Sequence, residues 1–232
     1  MITLRKSADR GRVEAGWLKA RHSFSFGQYY DPAHMGFRSL RVINEDNIQP
    51  STGFDTHPHR DMEIVTYIYR GGIRHKDSMG HEGVVRAGQV QRMSAGSGVL
   101  HSEHNASDSE PLQLLQIWIE PRDRGIPPEY EQMDLPETER LNRWKMVVSP
   151  DGRAGSMKIH QNVFLYASLM EPEKVLNHTL AEGRHAWVQV VRGSLKLNGH
   201  FLDSGDGASM AQEKEIRIAA QSPAELLLFD LE

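Results

Sequence analysis

Cysteine is absent from all 232 residues. That absence removes disulfide frameworks, thiolate zinc sites, iron–sulfur clusters and cysteine nucleophiles together. Any metal or polar chemistry must therefore rest on histidine and carboxylate. A basic excess is missing too: 27 Lys and Arg face 31 Asp and Glu, a net charge of -4, which argues against a nucleic-acid-binding surface. No apolar run approaches the roughly 18 residues of a membrane span; residues 224–229 are among the longest, and Glu225 interrupts them. The start, Met-Ile-Thr-Leu-Arg-Lys, has no apolar stretch of the signal-peptide kind. The expectation is a soluble, cytoplasmic chain with neither nucleic acid nor membrane as partner.

Extended 3.6-residue periodicity is also scarce, so few helices are predicted. Short runs rich in β-branched, aromatic and aliphatic residues take its place, at 63–70, 112–120, 186–192, 194–198 and 226–231. Turn signals such as Gly71-Gly72, Asp151-Gly152 and Asn198-Gly199 bound the runs or separate them. Many short strands with frequent turns predict antiparallel sandwiches or barrels. Residues 120–140 hold Pro121, Pro127, Pro128 and Pro136 among many charges. Proline removes a ladder donor and charge resists burial, so this stretch reads as a surface connection, dividing the chain into 1–130 and 131–232. Residues 67–75 (YIYRGGIRH) resemble 189–197 (QVVRGSLKL), with Gly71 and Gly193 lying 122 residues apart. Gly88 and Gly205 recur 117 residues apart in a second glycine turn. The two halves therefore read as copies of one β-unit.

Histidine is what the chain has in place of cysteine, and eight of its 12 histidines fall between His22 and His104. Residues two apart on a strand share a face, so His57 and His59, separated by Pro58, can present both imidazoles to one point. His101 and Glu103 form a second such pair, with Leu100 on the opposite face. Three imidazoles and a carboxylate suit a divalent first-row transition metal, with two positions of an octahedron left open. Glu63 is also in phase with His59, so alternation leaves two carboxylates eligible. His104 is out of phase and reads as facing away. His22, His34, His75, His81, His160, His178, His185 and His200 have no partner at ligand spacing and read as surface or satisfied core histidines.

These segments resemble the cupin superfamily and, within it, the pirin family. Gly53, His57, His59, Glu63 and Gly71 follow the first cupin motif; Gly88, Ser94-Ala95-Gly96, His101 and Asn105 follow the second, with Ser94 in place of the usual proline. Pirin-like stretches run from His22 to Asp31, through Met35-Gly36-Phe37 and Leu40-Arg41-Val42-Ile43-Asn44, and across residues 54–63 and 93–103. The resemblance covers the whole chain, with its diagnostic motifs in 22–105. It implies an all-β fold of two antiparallel β-barrel or jelly-roll cupin domains (a bicupin) with few short helices. It further implies metal ligands His57, His59, His101 and Glu103, with Glu103 also the catalytic base and Glu63 orienting an imidazole. The implied cofactor is one divalent ion, iron first, with copper, nickel, cobalt, manganese and zinc as alternatives. The implied activity is cleavage of a flavonol such as quercetin with O2 and release of carbon monoxide, by a monomer. The alternative is an iron-dependent, redox-sensing regulator that binds protein partners.

Gapless registration on the glycine turns places Thr179, Ala181, Ile218 and Ala220 where the four ligands stand, so the second half is expected to hold no metal. Residues 24–30 and Met35-Gly36-Phe37 are candidates to line an apolar pocket, with ordinary core as the competing reading.

Overall fold

Period-two burial shapes the molecule. In Val99–Asn105, Val99, His101, Glu103 and Asn105 turn inward while Leu100 turns to solvent, as a strand with one covered face requires. The computed structural model describes all of residues 1–232. Contacts divide it into two compact units, Gly11–Leu135 and a second made of Met1–Arg10 with Pro136–Glu232.

The first unit has a seven-stranded antiparallel sheet in the order Glu129–Asp134, Gln89–Ser94, Glu63–Arg70, Leu112–Ile119, Leu40–Ile48, Leu18–His22 and Gly11–Glu14. A four-stranded sheet runs Gly53–His59, Val99–Asn105, Gly72–Asp77 and Glu82–Arg86. Ile48, Ile68, Leu112 and Leu114 of the larger sheet pack with Ile73 and Val85 of the smaller, each such side chain contributing about 1.5–3 kcal/mol by leaving water.

The second unit repeats this plan. The order Gln89–Ser94, Glu63–Arg70, Leu112–Ile119, Leu40–Ile48 recurs as Gly207–Met210, His185–Arg192, Ala224–Leu231, Val163–Met170. The smaller sheet recurs as Val175–Thr179, Glu215–Ala220, Ser194–Leu197 and His200–Asp203. Gly71 and Gly193 show why both copies keep glycine: their φ angles are 77° and 84°. A Cβ would also meet the carbonyl oxygens of Pro111 and Pro223, at 3.0 and 2.1 Å.

The all-β bicupin expectation holds. The one α-helix, Glu137–Arg140, has four residues, and the only parallel strand pairing is that of Lys145–Ser149 with Met157–Lys158. The sheets of each unit remain separate, so each is a jelly-roll sandwich and not a closed barrel. Two details depart from the pattern read along the chain. Ile2–Arg5 pairs with Gly207–Met210 and so joins the second unit, which a four-residue strand cannot announce. The proline-rich connection contains an edge strand, Glu129–Asp134, whose Glu129 and Glu131 are held by the buried Arg92 at 3.1 and 2.5 Å. Glu225 also finds its reason: the carboxylate, 2% exposed, accepts from Arg140 at 2.7 Å and from Arg192 at 2.9 Å.

Candidate metal centre

The centre is built on the smaller sheet of the first unit. Gly53–His59 and Val99–Asn105 run antiparallel with His57 opposite His101 and His59 opposite Val99. The register shifts between His101 and Glu103, so that Glu103 stands opposite Phe54. This irregularity brings the strands so close that a Cβ on Gly53 would lie 2.3 Å from the Glu103 carbonyl oxygen. The glycine ahead of the His-x-His pair is therefore a spacing residue.

Three imidazoles converge. Ring centres of His57 and His101 lie 4.5 Å apart, and those of His59 lie 4.8 Å from each. Their candidate ligand atoms all fall within 4.8 Å of one another, a set that could hold a metal ion. His57 Nδ1 lies 2.7 Å from the Asp55 carbonyl oxygen; donation there leaves Nε2 as the free lone pair. His101 is 1% exposed, and neither of its ring nitrogens has a hydrogen-bond partner. Burial, reinforced by His59, His57 and His75, lowers its pKa to about 2. Burial and then His57 lower that of His59 to about 4. Both rings are thus neutral at ordinary pH, the form that ligates.

Glu103 lies deeper and is 2% exposed. Gln91 and Gln116 each donate an amide N–H to one of its oxygens, at 2.7 and 2.8 Å. Burial nevertheless pushes its carboxyl up to about 7, against the lowering effect of those bonds and of Thr66. The four residues expected as ligands do not form one tight set: Glu103 groups with His101 and His75 within 4.8 Å. Glu63 is buried and accepts from Ser94 Oγ at 2.8 Å. His104 points elsewhere, with Nε2 3.2 Å from Asp55 Oδ1.

His75 is the residue the spacing argument missed. It is fully buried on Gly72–Asp77, directly opposite Glu103, with its Nε2 3.2 Å from Asp77 Oδ2. Its phase with Asp77 was visible, but the neighbouring strand was not. Tyr130 stacks on His75 and His81, with ring centres at 4.7 and 4.9 Å. On the other side Trp118 meets His59 edge-on at 4.9 Å and Phe26 at 5.2 Å. Of the aromatic segment, then, Phe26 reaches this wall, Phe24 is core and Tyr30 is exposed. A cavity of about 580 Å³ opens beside His59, lined also by Arg60, Ser78, Ser97 and Leu100.

The second unit shows the contrast. Leu197 lies four residues past Gly193, as His75 does past Gly71, and Ile218 pairs with Leu197 as Glu103 pairs with His75. Ile218 therefore takes the place of Glu103, Ile216 that of His101, and His178, opposite Ile216, that of His57. Ile216 is two residues from the gapless registration, which placed Ile218 there, because Ile216 lies 11 residues past Gly205 where His101 lies 13 past Gly88; His178 is one residue from the expected Thr179. Leu197, Ile216 and Ile218 are all fully buried in an apolar core, while His178 is engaged at 3.0 Å by Asp230.

Comparison with known proteins identifies the family. The pirin family model matches residues 3–119, and that of a quercetinase C-terminal cupin domain matches 146–231. Quercetin 2,3-dioxygenase of Escherichia coli K12 is 47% identical over 231 residues, spanning 100% of this chain and 99% of its own. A putative quercetin 2,3-dioxygenase of Pasteurella multocida is 43% identical, with 100% of both chains covered. The crystal structure of the bacterial pirin YhhW of Escherichia coli in complex with nickel(II) superposes with a TM-score of 0.95 at 47% identity, covering 100% of this chain and 99% of that one. On these matches and on the convergent histidines, the chain belongs to the pirin family.

Proposed function

We propose that the chain is a metal-dependent dioxygenase that opens the heterocyclic ring of a flavonol such as quercetin with O2 and releases carbon monoxide. In this reading His57, His59, His101 and Glu103 hold one divalent ion. The observation that carries it is His101, a buried imidazole with both nitrogens unpartnered where two more imidazoles converge. Such orphaned groups cost about 1–3 kcal/mol each. Neutral imidazoles beside a carboxylate are the donor set that a divalent cation satisfies. The name of the Escherichia coli relative and the nickel(II) of the Escherichia coli pirin support the same reading. Iron is proposed first, because mixed His/carboxylate sets discriminate weakly and supply decides.

When bound, the ion acts as a Lewis acid that draws charge from the flavonol 3-hydroxyl. The residues around it do the rest. Glu103, the carboxylate of the set, takes the hydroxyl proton as general base. Gln91 and Gln116 aim its two oxygens. Trp118, packed on His59 and backed by Phe26, shields one side of that imidazole from water.

The test is Glu103→Gln, with metal content and oxygen uptake measured on the same sample. The expected protein keeps its ion and loses about 100-fold or more of its quercetin-dependent uptake, the scale of a general base. Undiminished uptake would remove Glu103 from the reaction. Absence of turnover with every reconstituted metal, together with tight capture of a protein partner, would favour the regulatory alternative.

A further inference from the structure

Three buried ring nitrogens lack partners around Glu103: both of His101 and Nδ1 of His75. A histidine kept only for packing would satisfy its nitrogens. His75 instead donates from Nε2 to the Asp77 carboxylate at 3.2 Å and leaves Nδ1 bare. A second nitrogen bonded to a carboxylate is how metal-ligating histidines are oriented. The ring plane is fixed as well, by stacking against Tyr130. His75, His101 and Glu103 are adjacent on paired strands, and their candidate ligand atoms lie within 4.8 Å of one another.

We propose that His75, His101 and Glu103 form a second, inner metal position that shares His101 and Glu103 with the outer set of His57, His59, His101 and Glu103. It rests on the reading of these residues as a metal centre. The two positions are alternatives for a single divalent ion, since two cations on one imidazole would repel. His57 and His59 are half-buried while His75, His101 and Glu103 are wholly buried. The inner position is therefore the one closed to solvent, and an ion there leaves the cavity-facing His59 free.

Asp77 offers a clean way to test this. Its Oδ1 accepts from the backbone N–H of Met79 and of His81, at 2.9 and 3.0 Å, and holds the turn. Its Oδ2 faces His75 Nε2 and His81 Nδ1. Asp77→Asn can keep the turn while replacing the acceptor behind His75. The experiment titrates Co²⁺ into folded His57→Ala/His59→Ala protein, following visible absorption and metal content after desalting. Expected is one Co²⁺ per chain, with affinity reduced by about a further 10–100-fold on adding Asp77→Asn and lost on adding His75→Ala. Anomalous scattering from the double variant is expected between His75, His101 and Glu103. A folded double variant that binds no Co²⁺ while the parent protein does overturns the inner position alone, as does an affinity indifferent to Asp77→Asn. A parent protein that binds none overturns the metal centre altogether.

Discussion

At the scale of single residues, the metal-free centre sets protonation preferences against one another. His59 and His101 resist protonation down to about 4 and about 2. An unfolded chain therefore takes up protons below about 6.5 that the folded chain refuses. Their stabilisation is complete above that pH and is lost as pH falls through the lowered values. Glu103 has the opposite sign: its pKa is raised to about 7, so its contribution is present at low pH and is lost as pH rises towards neutrality. Between about pH 5 and 6.5 the carboxyl offsets part of the histidine effect. Urea unfolding of chelator-treated protein should show this. Glu103→Gln is expected to lose stability on acidification more steeply than the parent, by about 1.4 kcal/mol per pH unit, the equivalent of one proton. Equal slopes would mean that Glu103 is ionised in the folded, metal-free protein.

At the scale of elements, the site depends on how closely two strands approach at one irregular step. Gly53 sits against the Glu103 carbonyl and the Cα of His104, where a Cβ would lie 2.3 and 2.4 Å away. Gly53→Ala is expected to cost about 1–3 kcal/mol in thermal unfolding, as overpacking does. It should also weaken metal uptake more than Gly83→Ala on the adjoining hairpin, where a Cβ meets nothing. Equal uptake by the two variants would show that the approach does not position the centre. Strand identity was legible because alternation is local: Glu63–Arg70 matches its predicted span, and the His-x-His and His-x-Glu pairs face inward together. Strand adjacency was not. His75 and Asp77 lie in phase on their own strand, but only the ladder beside Val99–Asn105 turns them into neighbours of His101 and Glu103. Likewise the register of the second copy depended on a span from Gly205 to Ile216 that is two residues shorter than that from Gly88 to His101, which the glycine turns cannot reveal.

At the scale of the whole molecule, one β-plan appears twice with opposite interiors. In the first unit Thr66, Gln91, Glu103 and Gln116 fill the space between the sheets with a hydrogen-bonded polar group. In the second, Val188, Leu197, Ile216, Ile218 and Leu228 occupy it with aliphatic side chains. A buried charge unaided by partners is costly, so polar chemistry is confined to the unit that supplies the partners. The function proposed above then calls for one catalytic ion per chain. Oxygen uptake with quercetin, measured as the metal-free chain is titrated with Fe²⁺ under controlled O2, tests this most directly. The rate is expected to rise linearly, to saturate at one ion per chain, and to vanish in His101→Ala. Uptake that persists after chelation, or that survives His101→Ala, would contradict it.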